Sequence, residues 1–273
     1  MTGRLRLTIA DGALAALDNG RSPAEATVLL VPGYTGSKED FQPLLRPLAA
    51  AGLRAIAIDQ RGQYESGWAR TAGGYEISAL AGDVVEVARQ VRDDGQLHLL
   101  GHSFGGLVAR QAMLRQPDLF EDLVLMDSGP AAIGGNRRRL LDEGEPVLAA
   151  GGMPALWDHL QERSQADPRY VRPAASLLAF LRERFLATDP VGLRIMGEAL
   201  KVESDHTAAL AELKKPILVL YGQDDDAWPP EVQAEMAERL NAQVTTIPAA
   251  AHSPAVENPV ATAAALIEFW LRK

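Results

Sequence analysis

The sequence predicts an α/β fold with a mostly parallel central sheet, helices on both of its faces, and an inserted all-helical cap. Three observations lead to this prediction. Short apolar runs of strand length alternate with segments whose apolar residues recur at helical spacing. The alternation stops between residues 130 and 215, where we find only helical patterns, and it resumes beyond residue 215. Alternating strands and helices imply right-handed crossovers and therefore parallel strands.

The expected organisation is one core domain interrupted by an insertion. We assign residues 1–129 to the first part of the core, residues 130–215 to the helical cap and residues 216–273 to the second part of the core. A chain of 273 residues is long enough for one large core with such an insertion. Its 47% hydrophobic and 23% charged residues are typical of a globular protein and argue against a largely disordered chain.

The elements of the core follow from local patterns. Apolar and polar residues alternate over residues 4–9, and Asp11-Gly12 supplies the turn of an antiparallel hairpin. Continuous apolar runs are typical of buried strands, and they occur at residues 27–31, 97–100, 123–126 and 217–221. Two further strands are expected at residues 54–58 and 243–247. Helical patterns follow Ser37 and Ser103, cover residues 76–91 and 229–240, and end the chain.

The composition excludes several classes of protein. A net charge of −9 argues against a nucleic-acid partner, because non-specific affinity for the phosphate backbone comes from clustered Lys and Arg. The absence of cysteine excludes disulfides, thiolate metal sites and cysteine nucleophiles. The first residues contain no apolar signal region, and no stretch is long enough for a membrane span. We therefore expect a cytoplasmic protein with a small-molecule partner, and the composition does not predict its oligomeric state.

A serine flanked by glycines follows the strand at residues 97–100. The segment reads Gly101-His102-Ser103-Phe104-Gly105-Gly106, and the apolar residues after it recur at helical spacing. Ser103 therefore lies at a strand-to-helix junction, where a serine hydroxyl stands clear of the sheet and glycines let neighbouring backbone pass without a Cβ clash. Ser103 is a candidate nucleophile. The alternative is a glycine-rich turn with a solvated serine.

A serine nucleophile needs a base that takes its proton and an acid that orients the base. Among the five histidines, only His252 lies in a loop directly after a strand of the sheet, and we expect it to be the base. His98 lies within a strand, and His102 lies in the serine turn with its side chain expected to point away from that of Ser103. His159 and His206 lie in the cap, where we expect structural, substrate-lining or solvated roles.

The expected acid follows the strand at residues 217–221. Asp224, Asp225 and Asp226 are consecutive there, at the edge of the sheet where open α/β folds form their sites. One of them should be buried against His252, and Asp127, which ends an earlier strand at the same edge, is the alternative acid. The three acids could instead form a solvated turn, and the sequence groups too few further oxygen ligands near them to predict a metal site.

The order of serine, acid and histidine is that of the α/β-hydrolases, and the chain resembles this family throughout. The serine turn resembles the family's nucleophile elbow, and Ala251-His252-Ser253-Pro254 resembles its histidine loop. Gly222-Gln223-Asp224-Asp225 resembles its Gly-x-x-Asp turn, which selects Asp225 as the acid. Val31-Pro32-Gly33-Tyr34 occupies the position of its oxyanion loop, which implies an oxyanion hole formed by the backbone amides of Tyr34 and Phe104.

Two loops depart from the family's pattern. Pro32 stands where the oxyanion loop usually has histidine, so the hydrogen bonds of that side chain are missing. After Asp59-Gln60-Arg61-Gly62, which is similar to the family's Asp-x-Arg-Gly turn, Gln63-Tyr64-Glu65 replaces the usual small turn. Tyr64 or Trp68 could reach the pocket from this loop, or could pack on the surface.

The resemblance implies a serine hydrolase that cleaves an ester, thioester or lactone bond of a small, largely apolar substrate through an acyl-enzyme, without a cofactor. The residues expected to line its pocket, unless they only pack the cap against the core, are Trp157, Phe180, Phe185, Met196 and Trp228. The same catalytic residues could support cofactor-free haloperoxidase or perhydrolase chemistry, or lyase or cyclase chemistry. A ligand receptor without turnover is the alternative from a different class.

Overall fold

A computed structural model describes residues 2–92, 95–166 and 170–272. The strands of these residues are β1 (Gly3–Ile9), β2 (Gly12–Asp18), β3 (Ala26–Val31), β4 (Leu53–Ile58), β5 (Gln96–His102), β6 (Leu123–Met126), β7 (Ile217–Gly222) and β8 (Gln243–Ile247). They form one sheet in the order β1-β2-β4-β3-β5-β6-β7-β8. β1 and β2 pair antiparallel, β2 pairs antiparallel with β4, and every other pairing is parallel. The predicted mostly parallel sheet is confirmed.

The helices of the described residues are α1 (Gln42–Ala50), α2 (Ile77–Val91), α3 (Phe104–Arg115), α4 (Gly135–Gln165), α5 (Ala175–Ala187), α6 (Pro190–Val202), α7 (Thr207–Glu212), α8 (Pro230–Leu240), α9 (Pro254–Glu257) and α10 (Pro259–Trp270). A short 3₁₀ turn at Lys38–Phe41 precedes α1, and Ser37 and Asp40 form the capping box at its start. The predicted helix after Ser37 thus begins as this turn.

Helices cover both faces of the sheet because alternate residues of the buried strands face opposite sides. In β3, Leu29 and Val31 belong to the cluster that contains the apolar side chains of α2, α3 and α8. Val28 and Leu30 belong to a second cluster, which contains those of α1 and α10. All six residues of β3 are buried, as its continuous apolar sequence predicts. The prediction of helices on both faces is therefore confirmed.

Four helices, α4 to α7, lie between β6 and β7 in the chain, and we call them the inserted helices. Within the described part of residues 130–215, no strand interrupts them. Residues 1, 93–94, 167–169 and 273 of the predicted domains lie outside the described residues. The long helix α4 changes direction at Gly152, whose φ of 66° is accessible to glycine at little cost. Met153, Trp157, Phe185 and Leu193 contribute to a small apolar cluster of these helices. The division into a core at residues 1–129 and 216–273 and a helical cap at residues 130–215 stays a prediction.

A buried ion cluster joins the loop after β3 to the loop after β4. The side chains of Lys38 and Asp59 have no exposed surface, and Lys38 Nζ lies 2.8 Å from Asp59 Oδ2. The Lys38 amide also donates to Asp59 Oδ1 at 2.7 Å, and the ammonium lies 2.9 Å from a carboxylate oxygen of Glu39 and of Glu65. Burial raises the pKa of Asp59 to about 6, although the nearby Lys38 charge lowers it. The two loops are therefore held together by charges that water cannot screen.

We expect Lys38→Met to lower the free energy of unfolding by about 3–5 kcal/mol near neutral pH, because it leaves a buried carboxylate without its cation. Urea denaturation monitored by circular dichroism measures this change. The double variant Lys38→Met/Asp59→Asn should regain part of the loss, since it removes the unpaired charge and keeps an oxygen that can accept from the main chain. A double variant as unstable as the sum of both single variants would contradict this explanation.

Candidate active site

Ser103 lies in a strained turn between β5 and α3. Its φ of 53° and ψ of −121° place a non-glycine residue in a sparsely populated region of backbone conformation. The glycines on either side are required by close backbone contacts. A Cβ atom on Gly101 would lie 2.2 Å from the Gly105 carbonyl oxygen, and one on Gly105 would lie 2.4 Å from the Pro32 carbonyl oxygen. The glycine pattern in the sequence thus reflects a crossing of three backbone segments.

The structure brings Ser103, His252 and Asp225 together at the carboxyl edge of the sheet. Ser103 Oγ lies 2.9 Å from His252 Nε2, and His252 Nδ1 lies 2.8 Å from Asp225 Oδ1. Ser103 follows β5, Asp225 follows β7 and His252 follows β8, so parallel strands deliver all three. The Asp225 carboxylate is completely buried, while the His252 side chain keeps 14% of its surface exposed. This arrangement allows the histidine to accept the serine proton while the carboxylate orients its ring.

Asp225 is fixed by two further donors. The Ala227 amide donates to Oδ1 at 2.9 Å, and Gln233 Nε2 donates to Oδ2 at 2.7 Å. Gln233 is completely buried on α8 and also donates to the Trp228 carbonyl oxygen at 2.7 Å. Gln233 could not be predicted from the sequence, because a single glutamine within an amphipathic helix carries no motif.

Asp127, the alternative acid, lies next to this group but does not take the place of Asp225. Its Oδ1 accepts from the Gly222 amide at 2.9 Å, and among the described residues it makes no hydrogen bond to His252. Burial, and then the neighbouring Asp225 charge, raise the pKa of Asp127 well above its usual range. Asp225 is thus the carboxylate that contacts the histidine.

Asp127, Asp225 and His252 are side chains of the types that bind metal ions. Ligand atoms of Asp127, Asp225 and His252 lie within 4.8 Å of one another. Two of these groups already share a hydrogen bond through Asp225 Oδ1 and His252 Nδ1, and an ion between them would have to displace it. The donor set therefore fits an oriented histidine base better than a metal centre.

His102 supports the loop that carries His252. Its Nε2 lies 2.7 Å from the His252 carbonyl oxygen, and the centroids of the two rings are 5.3 Å apart. Burial, and then the charge of His252, lower the pKa of His102 to about 4, so its neutral ring donates through Nε2. The other histidines lie elsewhere: His98 Nδ1 is 2.6 Å from Asp122 Oδ2 within the core, and His159 and His206 lie among the inserted helices.

The residues expected to form the oxyanion hole lie on either side of Ser103. Phe104 is the first residue of α3, where the first amides of a helix have no intrahelical acceptor, and Tyr34 lies in the loop after β3. Within residues 2–92, 95–166 and 170–272, neither amide donates to a protein acceptor. A Cβ atom on Gly33 would lie 3.2 Å from Ser103 Cβ, so the loop backbone packs directly against the serine turn. Both amides are thus available to an anionic ligand.

The Tyr34 side chain links this loop to the inserted helices. Its hydroxyl donates to the Leu193 carbonyl oxygen on α6 at 2.8 Å. A Cβ atom on Gly197 would lie only 2.8 Å from that hydroxyl oxygen, which places α6 directly against the ring. Burial raises the pKa of Tyr34 above its usual range, so the hydroxyl keeps its proton and stays a donor.

A cavity of about 1060 Å³ lies above Ser103, between the loop after β3 and the inserted helices. Much of its wall is apolar and includes Leu141, Leu148, Leu156, Leu160, Leu181 and Leu193. The charged side chains that reach it include Lys201, which lies within 3.2 Å of carboxylate oxygens of Asp142, Glu145 and Glu198. Arg184 likewise pairs with Asp40. The cavity therefore offers leucine surface next to the serine, with these cations already neutralised.

The structure divides the expected pocket residues into two groups. Phe180 and Phe185 line the cavity. Trp157, Met196 and Trp228 lie outside that lining in the described residues: Trp157 packs behind Phe185 with ring centroids 5.6 Å apart, and Met196 is completely buried. Trp228 packs against Gly129, where a Cβ atom would lie 2.0 Å from its ring. These three are packing residues because their helices and loops turn them away from the open space.

Neither aromatic residue of the unusual loop after β4 lines the cavity in the part of the chain that is described. The Tyr64 hydroxyl lies 3.2 Å from Glu183 Oε1, and its ring packs edge-on against Phe180 with centroids 5.8 Å apart. Trp68 is 58% exposed. Tyr64 therefore acts behind the cavity wall, and Trp68 lies at the surface.

A serine, a histidine and a buried aspartate that meet at the carboxyl edge of a parallel sheet, with the serine in a strained strand-to-helix turn, define a class of α/β proteins. Residues 28–265 match the family described as "Alpha/beta hydrolase family". The chain belongs to this family. None of the helices in the described residues is both long and apolar enough to cross a membrane.

Three similar proteins illustrate the relationship. The chain is 31% identical over 264 residues to "Putative carbamate hydrolase RutD" of Variovorax paradoxus, covering 93% of this chain and 94% of the relative. It is 26% identical over 251 residues to "Bifunctional esterase/perhydrolase DCH" of Acinetobacter calcoaceticus, covering 84% and 86%. The solved structure of a thermophilic esterase from Thermogutta terrifontis superposes with a TM-score of 0.78 at 26% identity, covering 99% of this chain and 98% of that chain.

The lowered pKa of His102 predicts a pH dependence of stability. The folded-state pKa is about 4 and the ordinary value is 6.5, so between these values the unfolded state binds more protons and stability falls as the pH falls. In His102→Gln, whose amide can still donate to the His252 carbonyl, this contribution disappears. The slope of unfolding free energy against pH should then be smaller by up to about 1.4 kcal/mol per pH unit.

Urea denaturation at a series of pH values measures both slopes. Well above pH 6.5 the two proteins should have the same slope, because there the His102 side chain is neutral in the folded and the unfolded state. Equal slopes at every pH would contradict a neutral, buried His102.

Proposed function

We propose that this protein is a serine hydrolase that cleaves an ester, thioester or lactone bond of a small, largely apolar molecule. The observation that carries the proposal is the chain of hydrogen bonds from Ser103 Oγ through His252 to Asp225, which lies beneath a large cavity. Membership of the alpha/beta hydrolase family supports hydrolysis as the reaction class. The names of two relatives, an esterase/perhydrolase and an esterase, support an ester bond.

The reaction proceeds in two steps. His252 takes the proton of Ser103 while Oγ attacks the substrate carbonyl, and Asp225 stabilises the resulting imidazolium and holds its orientation. His252 then gives the proton to the leaving group, which leaves an acyl-enzyme on Ser103. A water molecule, deprotonated by the same histidine, attacks the acyl carbonyl, and its proton returns to Ser103 as the acid departs. No step requires a cofactor.

The developing oxyanion is bound by the amides of Tyr34 and Phe104. Both lack a protein acceptor among the described residues, and the Phe104 amide also benefits from the positive end of the α3 dipole. Loss of one such donor typically costs about 2.7–4 kcal/mol of transition-state stabilisation. Fixed donors of this kind act without reorganisation, so they favour the tetrahedral state over the bound substrate.

The apolar cavity wall is the evidence for a small, largely apolar acyl group in the substrate. Contact with its leucine side chains makes the free energy of binding more favourable by about 25 cal/mol for every Å² of apolar substrate surface that is removed from water. The acidic protein, with a net charge of −9, supports a small-molecule substrate over a nucleic acid. We also propose that the protein is located in the cytoplasm.

A second candidate reaction is perhydrolysis, in which hydrogen peroxide replaces water as the nucleophile that attacks the acyl-enzyme. The relative from Acinetobacter calcoaceticus, named as both esterase and perhydrolase, favours this candidate. The two reactions share the acylation step and differ in what removes the acyl group. Product analysis with and without peroxide therefore distinguishes them once an ester substrate is known.

The proposal predicts a burst of chromophore when the enzyme meets an excess of a short-chain p-nitrophenyl ester, with an amplitude equal to the concentration of active serine. In Ser103→Ala the burst should vanish and kcat should fall by about a million-fold, to the assay background. Ser78→Ala, on the exposed side of α2, is the matched control and should keep the burst. Turnover that survives in Ser103→Ala would refute the nucleophile, and turnover without a burst would favour lyase or cyclase chemistry.

The choice between the two buried aspartates can be tested separately. Asp225→Asn should lower kcat by about 10⁴-fold, because an amide at this position favours the wrong histidine tautomer. Asp127→Asn preserves shape and should have a much smaller effect, since this side chain makes no hydrogen bond to His252 among the described residues. Steady-state kinetics on the same ester measures both, and the opposite ranking would identify Asp127 as the acid.

A further inference from the structure

We infer that Gln63 is a positioning residue that aims the Tyr34 amide at the oxyanion. The inference rests on the proposed function and concerns a residue that does not touch the substrate. Gln63 lies in the loop after β4 that departs from the family's usual sequence. Its side chain is completely buried, and it contacts the backbone of the oxyanion loop.

The amide of Gln63 donates to two consecutive carbonyl groups of that loop. Nε2 lies 2.7 Å from the Gly33 oxygen and 3.2 Å from the Tyr34 oxygen. The other end of the same side chain accepts from the Gln60 amide, with Oε1 at 3.0 Å. Because a main-chain N–H can only donate, this contact defines which end of the Gln63 amide faces the carbonyl groups.

Because the peptide unit is planar, this contact fixes the direction of the Tyr34 N–H, which is the proposed oxyanion donor. The Gly33 carbonyl and the Tyr34 N–H belong to one peptide unit, which is planar and trans, so the two groups point in opposite directions. Holding the carbonyl against Gln63 therefore directs the N–H to the other side of the loop. The Gly33 backbone packs against Ser103, since a Cβ atom on Gly33 would lie 3.2 Å from Ser103 Cβ.

The loop's own hydrogen bonds leave this peptide unit weakly fixed. Within the loop, the Gly33 oxygen accepts only from the Gly36 amide, at 3.2 Å, among the described residues. Pro32 has no N–H with which to anchor the preceding unit, and its carbonyl oxygen is instead held by Gln60 Nε2 at 2.8 Å. Gln63 supplies the shortest bond to the Gly33 oxygen. A donor on this carbonyl also polarises the peptide and strengthens its N–H as a donor.

The chain contains a matched control for the cost of losing such a side chain. Asn19 is also buried, its Nδ2 donates to two main-chain carbonyl groups, those of Leu45 at 3.1 Å and Leu53 at 3.0 Å, and its Oδ1 accepts from the Arg21 amide. Asn19 follows β2, and its main-chain N–H donates to the Ala55 carbonyl oxygen near the start of β4. This end of β4 lies at the edge of the sheet opposite Ser103. Asn19→Leu thus removes an equivalent set of side-chain hydrogen bonds at a position far from Ser103.

The experiment compares Gln63→Met and Asn19→Leu with the unsubstituted protein, after circular dichroism has confirmed folding. For Gln63→Met we expect kcat on a p-nitrophenyl ester to fall about 10- to 100-fold while KM stays within about twofold, because only the transition state uses the Tyr34 amide. Affinity for a trifluoromethyl ketone, whose serine adduct carries an oxyanion, should fall by a similar factor. Asn19→Leu should lower stability and leave kcat and this affinity unchanged.

Gln63→Glu provides a second readout that does not depend on the methionine variant. A protonated glutamic acid can donate to the Gly33 oxygen as the amide does, whereas the carboxylate repels it. The ratio of its kcat to that of the unsubstituted protein should therefore rise as the pH is lowered. A purely structural role for Gln63 predicts a ratio that does not change with pH.

Several outcomes would overturn the inference. Kinetics of Gln63→Met that match those of Asn19→Leu, a rise in KM alone, or unchanged ketone affinity would each do so. A pH-independent ratio for Gln63→Glu would do so even if the methionine variant fails to fold. Failure of the proposed function has a different signature, namely absence of a Ser103-dependent burst in the unsubstituted protein. A normal burst with normal Gln63 variants refutes only the role of Gln63.

Discussion

The backbone of Ser103 is held at φ 53° between β5 and α3, and neighbouring segments stabilise this conformation. The Ser103 amide donates to the Met126 carbonyl at 2.8 Å, and its own carbonyl accepts from the Gly106 amide at 2.9 Å. A non-glycine residue in a sparsely populated region costs about 1–3 kcal/mol, so the turn persists only because β6 and α3 hold both of its ends. The same turn places the Ser103 hydroxyl and the Phe104 amide beside the backbone of the loop after β3, since a Cβ atom on Gly33 would lie 3.2 Å from Ser103 Cβ.

Strand order explains how residues far apart in sequence meet at this turn. β3 and β6 flank β5, and β7 and β8 follow β6 across the sheet, so the loops after β3, β7 and β8 all end on the same edge as Ser103. The sequence contains enough information for this much. Alternating strand and helix patterns predict the parallel sheet, the flanking glycines indicate Ser103, and elimination among five histidines indicates His252. Asp225 is selected over its neighbours only by the resemblance of its turn to that of the family. Each of these motifs is local in sequence. Because each follows a strand of a parallel sheet, all of them lie at the same edge of the sheet and close to one another.

The supporting residues could not be predicted in the same way. Gln233 lies on α8 and Gln63 in a loop, and each acts on a group from another element through a buried amide. Glutamine has no positional preference that would indicate such a contact. Of the five expected pocket residues, two line the cavity of the described residues and three do not, for a related reason: periodicity identifies an apolar helix face but not whether that face meets a neighbour or open space. Phe185 and Trp157 lie in one apolar cluster, yet only the former lines the cavity in the described residues.

Tyr34 has two attachments with different consequences. Its amide faces the proposed oxyanion site, while its hydroxyl donates to Leu193 of α6. Because α6 also contributes to the cavity wall, one side chain connects that wall to the loop that carries the proposed oxyanion donor. Under the proposed function, reshaping α6 for a larger substrate alters turnover as well as affinity. Under the same proposal, the substrate range is most freely adjusted from α4 and α5, which supply much of the leucine and phenylalanine surface of the cavity.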